Sequence, residues 1–504
     1  MSDTIDFEIV ADEEAWGFNL NAYGTCQTVY EGKGTLALSS GEQVECDFQV
    51  GQLSNGDVIL LCGTRAYYSL LGFGDSVESF HGVTHEGYKL ASAGRIRSTN
   101  YLPNMTRPGT FEALHLERLS VLISEGSSVV RSVRFGITNF KFVTTQVGKD
   151  ENNRFVSWLP LILNDGKSVI NFCMRPVPDY DKLIRRLQTL KTIEVTCEAV
   201  AYVSGEDAIP ALEQAAEALC RILSVARGTK IQWVYRDQYD EQGILLKRTH
   251  YEHITKSFCP MAIIDARYEG RVETRDFIEG AYPVFLERRD PYKLDKGTID
   301  AYLDAKSEDD YLETRAVKLA VALEKLKAVF LSQPESSSKE FVIDESLFDS
   351  IKPKMKSAIG EVLNAEGVGA AERGEIYPKL SGLNRRSFAD LLKGFLQYIK
   401  LDVNPKDLQL FIQCRNKLVH TGEFYCVAAS PVERKKCTPL PTPAEEYYFM
   451  VNFLDRIFLR LLAYSGNYVD YRTIMTGLDK AKLCVASRNQ SYSISATATR
   501  GGDR

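Results

Sequence analysis

Arg415 and His420 sit five residues apart in Cys414-Arg415-Asn416-Lys417-Leu418-Val419-His420-Thr421-Gly422, near the end of a helical third of this 504-residue chain. A guanidinium keeps its charge at any pH a folded protein meets, whereas an imidazole gains and loses a proton near neutrality. With no metal ligands nearby, that combination suits RNA cleavage by the ribose 2′-hydroxyl. The attack needs proton transfer, and the crowded, highly negative phosphorane needs a fixed cation. One such pair is thin for both proton transfers. Two copies across a symmetric dimer seam would supply two histidines and two arginines.

The element that must position them is a helix with clear signals at both ends. Asn404 is a good N-cap, Pro405 suits the first helical position, Asp407 complements the dipole, and Gly422 suits the exit. On an ideal wheel Leu408, Phe411, Ile412, Cys414, Leu418 and Val419 form one apolar arc with Arg415 near its middle. A charge there needs an anionic partner, either a carboxylate inside the bundle or a ligand at a seam. His420 falls roughly 140° away, at the last turn, where the helix C-terminus favours a protonated imidazole. Asn416 is its i−4 neighbour, so its amide is expected to orient the ring. An arginine on an apolar arc also serves as a structural ion-pair partner, and a histidine at a helix end as a cap.

The flanking sequence is helical too. Leu312, Ala316, Leu319, Leu323, Leu326 and Phe330 mark one face; Leu347, Ile351, Met355, Ile359 and Leu363, after the cap Asp344 and across Pro353, mark another. Asn384 is expected to cap a helix carrying Phe388, Leu391, Phe395 and Ile399, and Thr442-Pro443-Ala444-Glu445 opens a final helix that is apolar on most sides. These predict an all-α bundle over residues 308–482, followed by a disordered tail, 483–504, rich in Ser, Thr and Gly. The charged stretch Asp290 to Asp310 reads as a linker.

Upstream, residues 1–180 read as a β-rich sandwich or barrel, with strands at Thr35–Leu38, Val44–Val50, Val58–Cys62, Val129–Phe135, Phe140–Val147 and Ser157–Leu163. His81 and His85 fall in a stretch that reads as a loop, where solvated histidines are a better reading than a metal pair. Residues 181–300 form an α+β middle region: a helix to Leu190, a strand Ile193–Val203, a strong helix Ile209–Ala226 ended by Gly228, and a strand Ile231–Tyr235. Trp233, Tyr235, Arg236 and Tyr239 suit base stacking, and suit cross-strand packing better. The fold class is therefore multidomain α+β.

Composition sets the remaining bounds. At 44% hydrophobic and 25% charged, the chain is ordinary for a globular protein. It has no membrane-length apolar run, and its acidic start lacks the order of a signal peptide. Eleven cysteines without a Cys-x-x-Cys pair fit reduced thiols and a cytoplasmic location, which makes the Asn-x-Ser/Thr triplets at Asn104 and Asn489 chance matches. A net charge of −6 argues against a chain-wide polyelectrolyte, yet residues 372–423 carry nine basic against six acidic residues, enough to attract a phosphate backbone.

Arg415-Asn416-Lys417-Leu418-Val419-His420 resembles the R-N-x-x-x-H signature of the HEPN superfamily, over about residues 308 to 480. The resemblance implies a metal-independent endoribonuclease without cofactors, dimeric or of higher order. In it Arg415 and His420 are catalytic and Asn416 orients, with RNA, tRNA among the candidates, as substrate. Glu324 is a candidate acidic partner. The order of parts is similar to ApeA-like bacterial abortive-infection proteins, which implies an N-terminal region that senses a phage-derived trigger. A non-catalytic HEPN-type interaction or ligand-binding module is the alternative.

Overall fold

A computed structural model describes residues 18–54, 56–64, 76–103, 110–124, 129–141, 146–149, 155–190, 194–203, 205–252, 262–264, 271–307, 310–333, 340–471, 482–487 and 490–495. Asn104 and Asn489 lie outside them, as do parts of the expected linker, of the run Phe140–Val147 and of the tail.

Six antiparallel strands come first: β1 (Cys26–Leu38), β2 (Gln43–Leu53), β3 (Val58–Thr64), β4 (Val77–Thr84), β5 (Lys89–Pro103) and β6 (Thr110–Leu122). They run in the order β3-β2-β1-β4-β5-β6, and β6 returns to β3 from Thr64↔Thr110 to Ile59↔His115. The sheet therefore closes into a barrel, which removes its open edges. β3 is buried throughout, as its unbroken apolar run implies. Phe48 and Phe80 meet edge to face in the barrel core with centroids 5.0 Å apart, and a Cβ at Gly82 would come within 2.7 Å of Phe48. Gly82 thus makes room rather than a turn. This corrects the loop expected around His81: it lies exposed on β4, opposite Thr35 and Ala91, while Phe80, Gly82 and Thr84 face inward.

The remaining strands are β7 (Ser132–Thr138), β8 (Gln146–Lys149), β9 (Phe155–Asn164), β10 (Val169–Pro176), β11 (Val195–Tyr202), β12 (Trp233–Tyr239) and β13 (Leu245–Tyr251). The far half of β6 pairs with β13, and the order continues β13-β12-β7-β11-β10-β9-β8. On the edge opposite β5, one strand thus serves two neighbours along its length. The boundary expected at residue 180 consequently runs through a sheet, because strands from both sides of it alternate there. Strand pairing is non-local, and the run of each strand does not reveal its partner. The aromatic and basic residues of β12 are structural: Trp233 meets Phe135 at 5.4 Å, Tyr235 donates to Glu198 at 2.8 Å, and Arg236 pairs with Glu213.

Helices α1 (Tyr180–Leu190), α2 (Ile209–Arg227), α3 (Arg271–Arg288), α4 (Ile299–Lys306), α5 (Leu312–Leu331), α6 (Glu345–Ala365), α7 (Ala370–Ile376), α8 (Phe388–Tyr398), α9 (Pro405–Thr421), α10 (Tyr425–Ala428), α11 (Pro431–Lys436) and α12 (Pro443–Leu461) complete the interior. One apolar core runs from Val130 through α2 to α5 and on to Leu462. α4 occupies the expected linker, with Ile299, Tyr302, Leu303 and Lys306 buried, so that stretch is core and not spacer. Its charge has a remote partner: Lys306 Nζ lies 2.9 Å from Asp455 Oδ1 of α12, both side chains fully buried. Tyr302, bonded to the same carboxylate, stacks on Phe458 at 4.2 Å.

Two caps behave differently from each other. Asp344 caps α6 as expected, accepting from Ser346 and Leu347, but only Phe348 and Gly360 of that helix are buried. Asn384 does not cap α8. Its amide bonds both ways to the Ile343 backbone, at 2.9 and 3.0 Å, and Ser387 is the cap instead. The tail expected to be disordered contains β15 (Lys482–Ser487) and β16 (Gln490–Ser495), paired to each other, and β15 also pairs with β14 (Tyr468–Val469). The composition that suggests disorder also alternates polar and apolar residues, as in Ser491-Tyr492-Ser493-Ile494.

Barrel and second sheet are tied by His250 of β13. Its Nδ1 lies 3.0 Å from Gln52 Oε1 and so carries the proton, and its Nε2 accepts from Tyr30 at 3.2 Å. Gln52 in turn donates to the Val234 and Tyr251 carbonyls at 2.8 and 3.0 Å. Burial, with Arg248 nearby, holds the imidazole down to about 3. A lowered folded-state value means a contribution fully present above the unfolded value near 6.5 and lost as pH falls toward 3. Between pH 7 and pH 5 this group alone should remove about 2 kcal/mol of stability. Urea melts should show wild type losing more over that interval than His250→Gln. In the helical half, Lys306→Met leaves the buried Asp455 carboxylate with Tyr302 but no cation and should cost about 3–5 kcal/mol, part of which Asp455→Leu restores in the double variant.

Candidate functional site

α9 starts and stops where its sequence directs. Asn404 Oδ1 accepts from the Lys406 amide at 2.9 Å, and Gly422, at φ 73°, donates its N–H to the Leu418 carbonyl at 3.1 Å. Leu408, Phe411, Cys414 and Leu418 are buried, and Phe411 stacks on Phe453 of α12 at 4.0 Å. That packing forces Arg415 inward, with its side chain 12% exposed.

Three helices converge on its guanidinium. Nη2 pairs with Glu324 of α5, Nη1 donates to Asn416 Oδ1 at 2.9 Å, and the group lies 4.3 Å over the ring of Phe388 at the start of α8. Glu324 also takes Lys327, one turn along α5, at 2.5 Å, and Lys327 approaches the Phe388 ring at 5.2 Å. The anionic partner that the wheel demands is thus a carboxylate of the same chain. Arg415 Nε is buried without a hydrogen bond. Asn416 departs from expectation, because its carbonyl oxygen faces the guanidinium rather than the imidazole. Arginine offers donors on three nitrogens and Asn416 is its immediate neighbour, so the cation captures the amide.

His420 stands apart. It is exposed, beside exposed Val419, and has no hydrogen-bond partner among the described residues. Five residues of ideal helix separate it from Arg415 by about 7.5 Å along the axis. The chain beyond it is pinned. The buried Glu446 carboxylate accepts from the Tyr425 and Cys426 amides, each at 2.8 Å, and the Tyr425 hydroxyl lies 2.9 and 2.8 Å from the carbonyls of Glu433 and Cys437. Lys417 reaches Glu433 at 3.1 Å, which docks α11 beside α9. Burial and the neighbouring Glu446 push the Cys414 thiol well above its ordinary value, so it is no nucleophile.

Lys435 and Lys436 on α11, both exposed, are basic residues beside this site that the charge window ending at residue 423 misses. Their signal is the capping box Ser430–Glu433 followed by Arg434-Lys435-Lys436. As for metals, Asp57, His115 and Glu252 place ligand atoms within 4.8 Å of one another. The Arg97 guanidinium already pairs with Glu252, and His115 Nδ1 sits 3.6 Å from the same carboxylate, so the cluster already engages a cation. It joins segments far apart in sequence, so no spacing announces it.

The two candidate residues should separate in stability. Arg415→Ala removes an ion pair and a cation–π contact and should cost about 2 kcal/mol, whereas His420→Ala should stay within about 0.5 kcal/mol, both read from urea midpoints. No family model matches the chain, and neither a curated protein nor a solved structure matches it.

Proposed function

We propose that the chain is a metal-independent endoribonuclease of the HEPN type, which serves a bacterial anti-phage abortive-infection system in the cytoplasm. One observation carries the reading: α9 bears a guanidinium immobilised by α5 and α8 and, at its last turn, a histidine whose exposed ring has no partner among the described residues. Immobilised positive charge suits a phosphorane, and an accessible imidazole suits proton transfer. The two do not converge within one chain, so the site is completed at a seam between two copies, in a homodimer or higher assembly. Val419, Val427 and Val432, exposed on the α9–α11 segment that holds His420, give that seam apolar surface. Lys435 and Lys436 would hold the RNA backbone, tRNA or another host RNA. The N-terminal barrel is the sensor of a phage-derived trigger.

A second reading has its own observation. The ion pair from Arg415 to Glu324 satisfies the arginine without any ligand, as in a non-catalytic interaction module. Sequencing of RNA ends after induction separates the two. Catalysis predicts new ends with wild type and a loss of at least about 100-fold with His420→Ala. Arg415→Lys should fail too, because an ammonium cannot reproduce the planar fork. Purified protein should cut mixed cellular RNA in EDTA; cleavage that needs added metal, or that survives His420→Ala, sinks the proposal.

A further inference from the structure

The apolar residues of α6 are largely left without cover. At steps of three or four residues, Leu347, Ile351, Met355, Ala358, Val362 and Ala365 line an arc of about 80° on an ideal wheel and about 27 Å of helix, the narrow seam of a coiled coil. Leu347 and Val362 are 54% and 62% exposed, Ala358 and Ala365 are exposed, and Ile351 and Met355 are half-buried. One flank of the seam is taken. Phe348 and Gly360 are buried there, Gly360 makes room for the Tyr377 hydroxyl of the segment Tyr377–Asn384, and Lys356 lies 4.7 Å over the Tyr377 ring. With α7 these pieces form an arm between α5 and α8, on a neck where Val342 donates to the Asn384 carbonyl at 2.7 Å and Arg386 to the Glu340 carbonyl at 2.9 Å. Among the described residues, none from 340 to 387 joins the core that runs from Val130 to Leu462. A helix draws most of its stability from the face it buries, and a contiguous exposed apolar stripe is an interaction surface.

Charge says what covers the stripe. Lys354 and Glu361, both exposed, stand about 20° apart on its open flank. In an antiparallel pair of α6 helices with Met355 against the partner's Ala358, Ile351 falls against the partner's Val362. Lys354, which lies between those two layers, then faces the partner's Glu361, and two-fold symmetry repeats the ion pair. A parallel pair would instead turn Glu361 toward the partner's Glu366, and would drive the open flank of one helix into the segment that covers the other. The surface is thus self-complementary in one orientation.

We propose that α6 is a self-association helix, which pairs antiparallel with α6 of a second copy of this chain. The contact is separate from the seam at α9 and does not rest on RNA cleavage. Sedimentation velocity of the full-length protein over a dilution series reads it. Val362→Asp, which places two charges in the seam of each pair, should weaken one association step by at least about 100-fold. Glu361→Lys and Lys354→Glu should each weaken the same step about tenfold, and the double variant should return to within about threefold of wild type. These side chains are exposed, so the variants should fold, as circular dichroism checks. A carbodiimide, which joins an amine to a carboxylate only where they touch, is then applied to mixed light and nitrogen-15-labelled protein. It should link Lys354 to Glu361 in light–heavy peptide pairs, since within one helix the two lie about 10 Å apart along the axis. Sedimentation of Val362→Asp identical to wild type at every dilution overturns the proposal, as does a double variant no better than the single ones, or the absence of light–heavy pairs.

Discussion

A guanidinium on the buried side of a helix cannot shed its proton, and the helical half is arranged around that constraint at Arg415. α9 must bury Leu408, Phe411, Cys414 and Leu418 against α12, which turns Arg415 inward with them. The charge is tolerated because α5 brings Glu324 and α8 brings Phe388 to the same place. Three helices are thereby fixed in register by one side chain, and Lys327 balances the second oxygen of the carboxylate. His420 is under no such demand. The last turn of α9 is free to present it, while Glu446 and Tyr425 hold the following chain still.

The helical half is also continuous with the sheet. Lys306 and Asp455 join α4 to α12 through a buried pair whose second carboxylate oxygen, Oδ2, has no hydrogen bond, and Arg288 at the end of α3 donates to the Leu461 carbonyl at 2.8 Å. Burial raises the Asp455 carboxyl above its usual value even with Lys306 beside it, so desolvation outweighs the attraction there. A pair of that kind specifies which helix lies next to which more than it stabilises.

What the sequence made legible was local. Asn404, Pro405 and Gly422 define α9 because caps act within one turn, and Gly228 ends α2 in the left-handed conformation for the same reason. The continuous run Val58 to Cys62 is a buried strand because nothing in it is polar. The illegible parts depend on partners far away. α4 looks like a linker until Asp455 is placed opposite Lys306, 149 residues on. Opposite β5, β6 has two further neighbours, β3 and β13, because the barrel closes on its first half, and no feature within β6 says so. The wheel correctly put Arg415 among apolar residues and required an anion. Glu324, 91 residues away, was a candidate on the neighbouring helix, and only packing shows which charge it meets. Asn416 was misassigned for a smaller reason: spacing puts it near His420, but a cation next door competes for its one acceptor.

The pairing of Arg415 with Glu324 bears differently on the two functional readings. A purely structural arginine would be best served by a partner that saturates it, yet here two of its nitrogens each carry one bond and Nε carries none. Glu324 is itself one-third exposed and shared with Lys327, so its hold on Arg415 is divided. On the catalytic reading, a phosphate at the proposed seam need not break this pair to gain from it. It has only to accept from donors that Glu324 and Asn416 leave over, on a guanidinium already oriented by Phe388. Orientation achieved before the substrate arrives is what electrostatic catalysis requires, because nothing then has to reorganise as charge develops. On the catalytic reading proposed above, the ion pair that stabilises the bundle also prepares the cation, and a second copy of α9 would bring the imidazole.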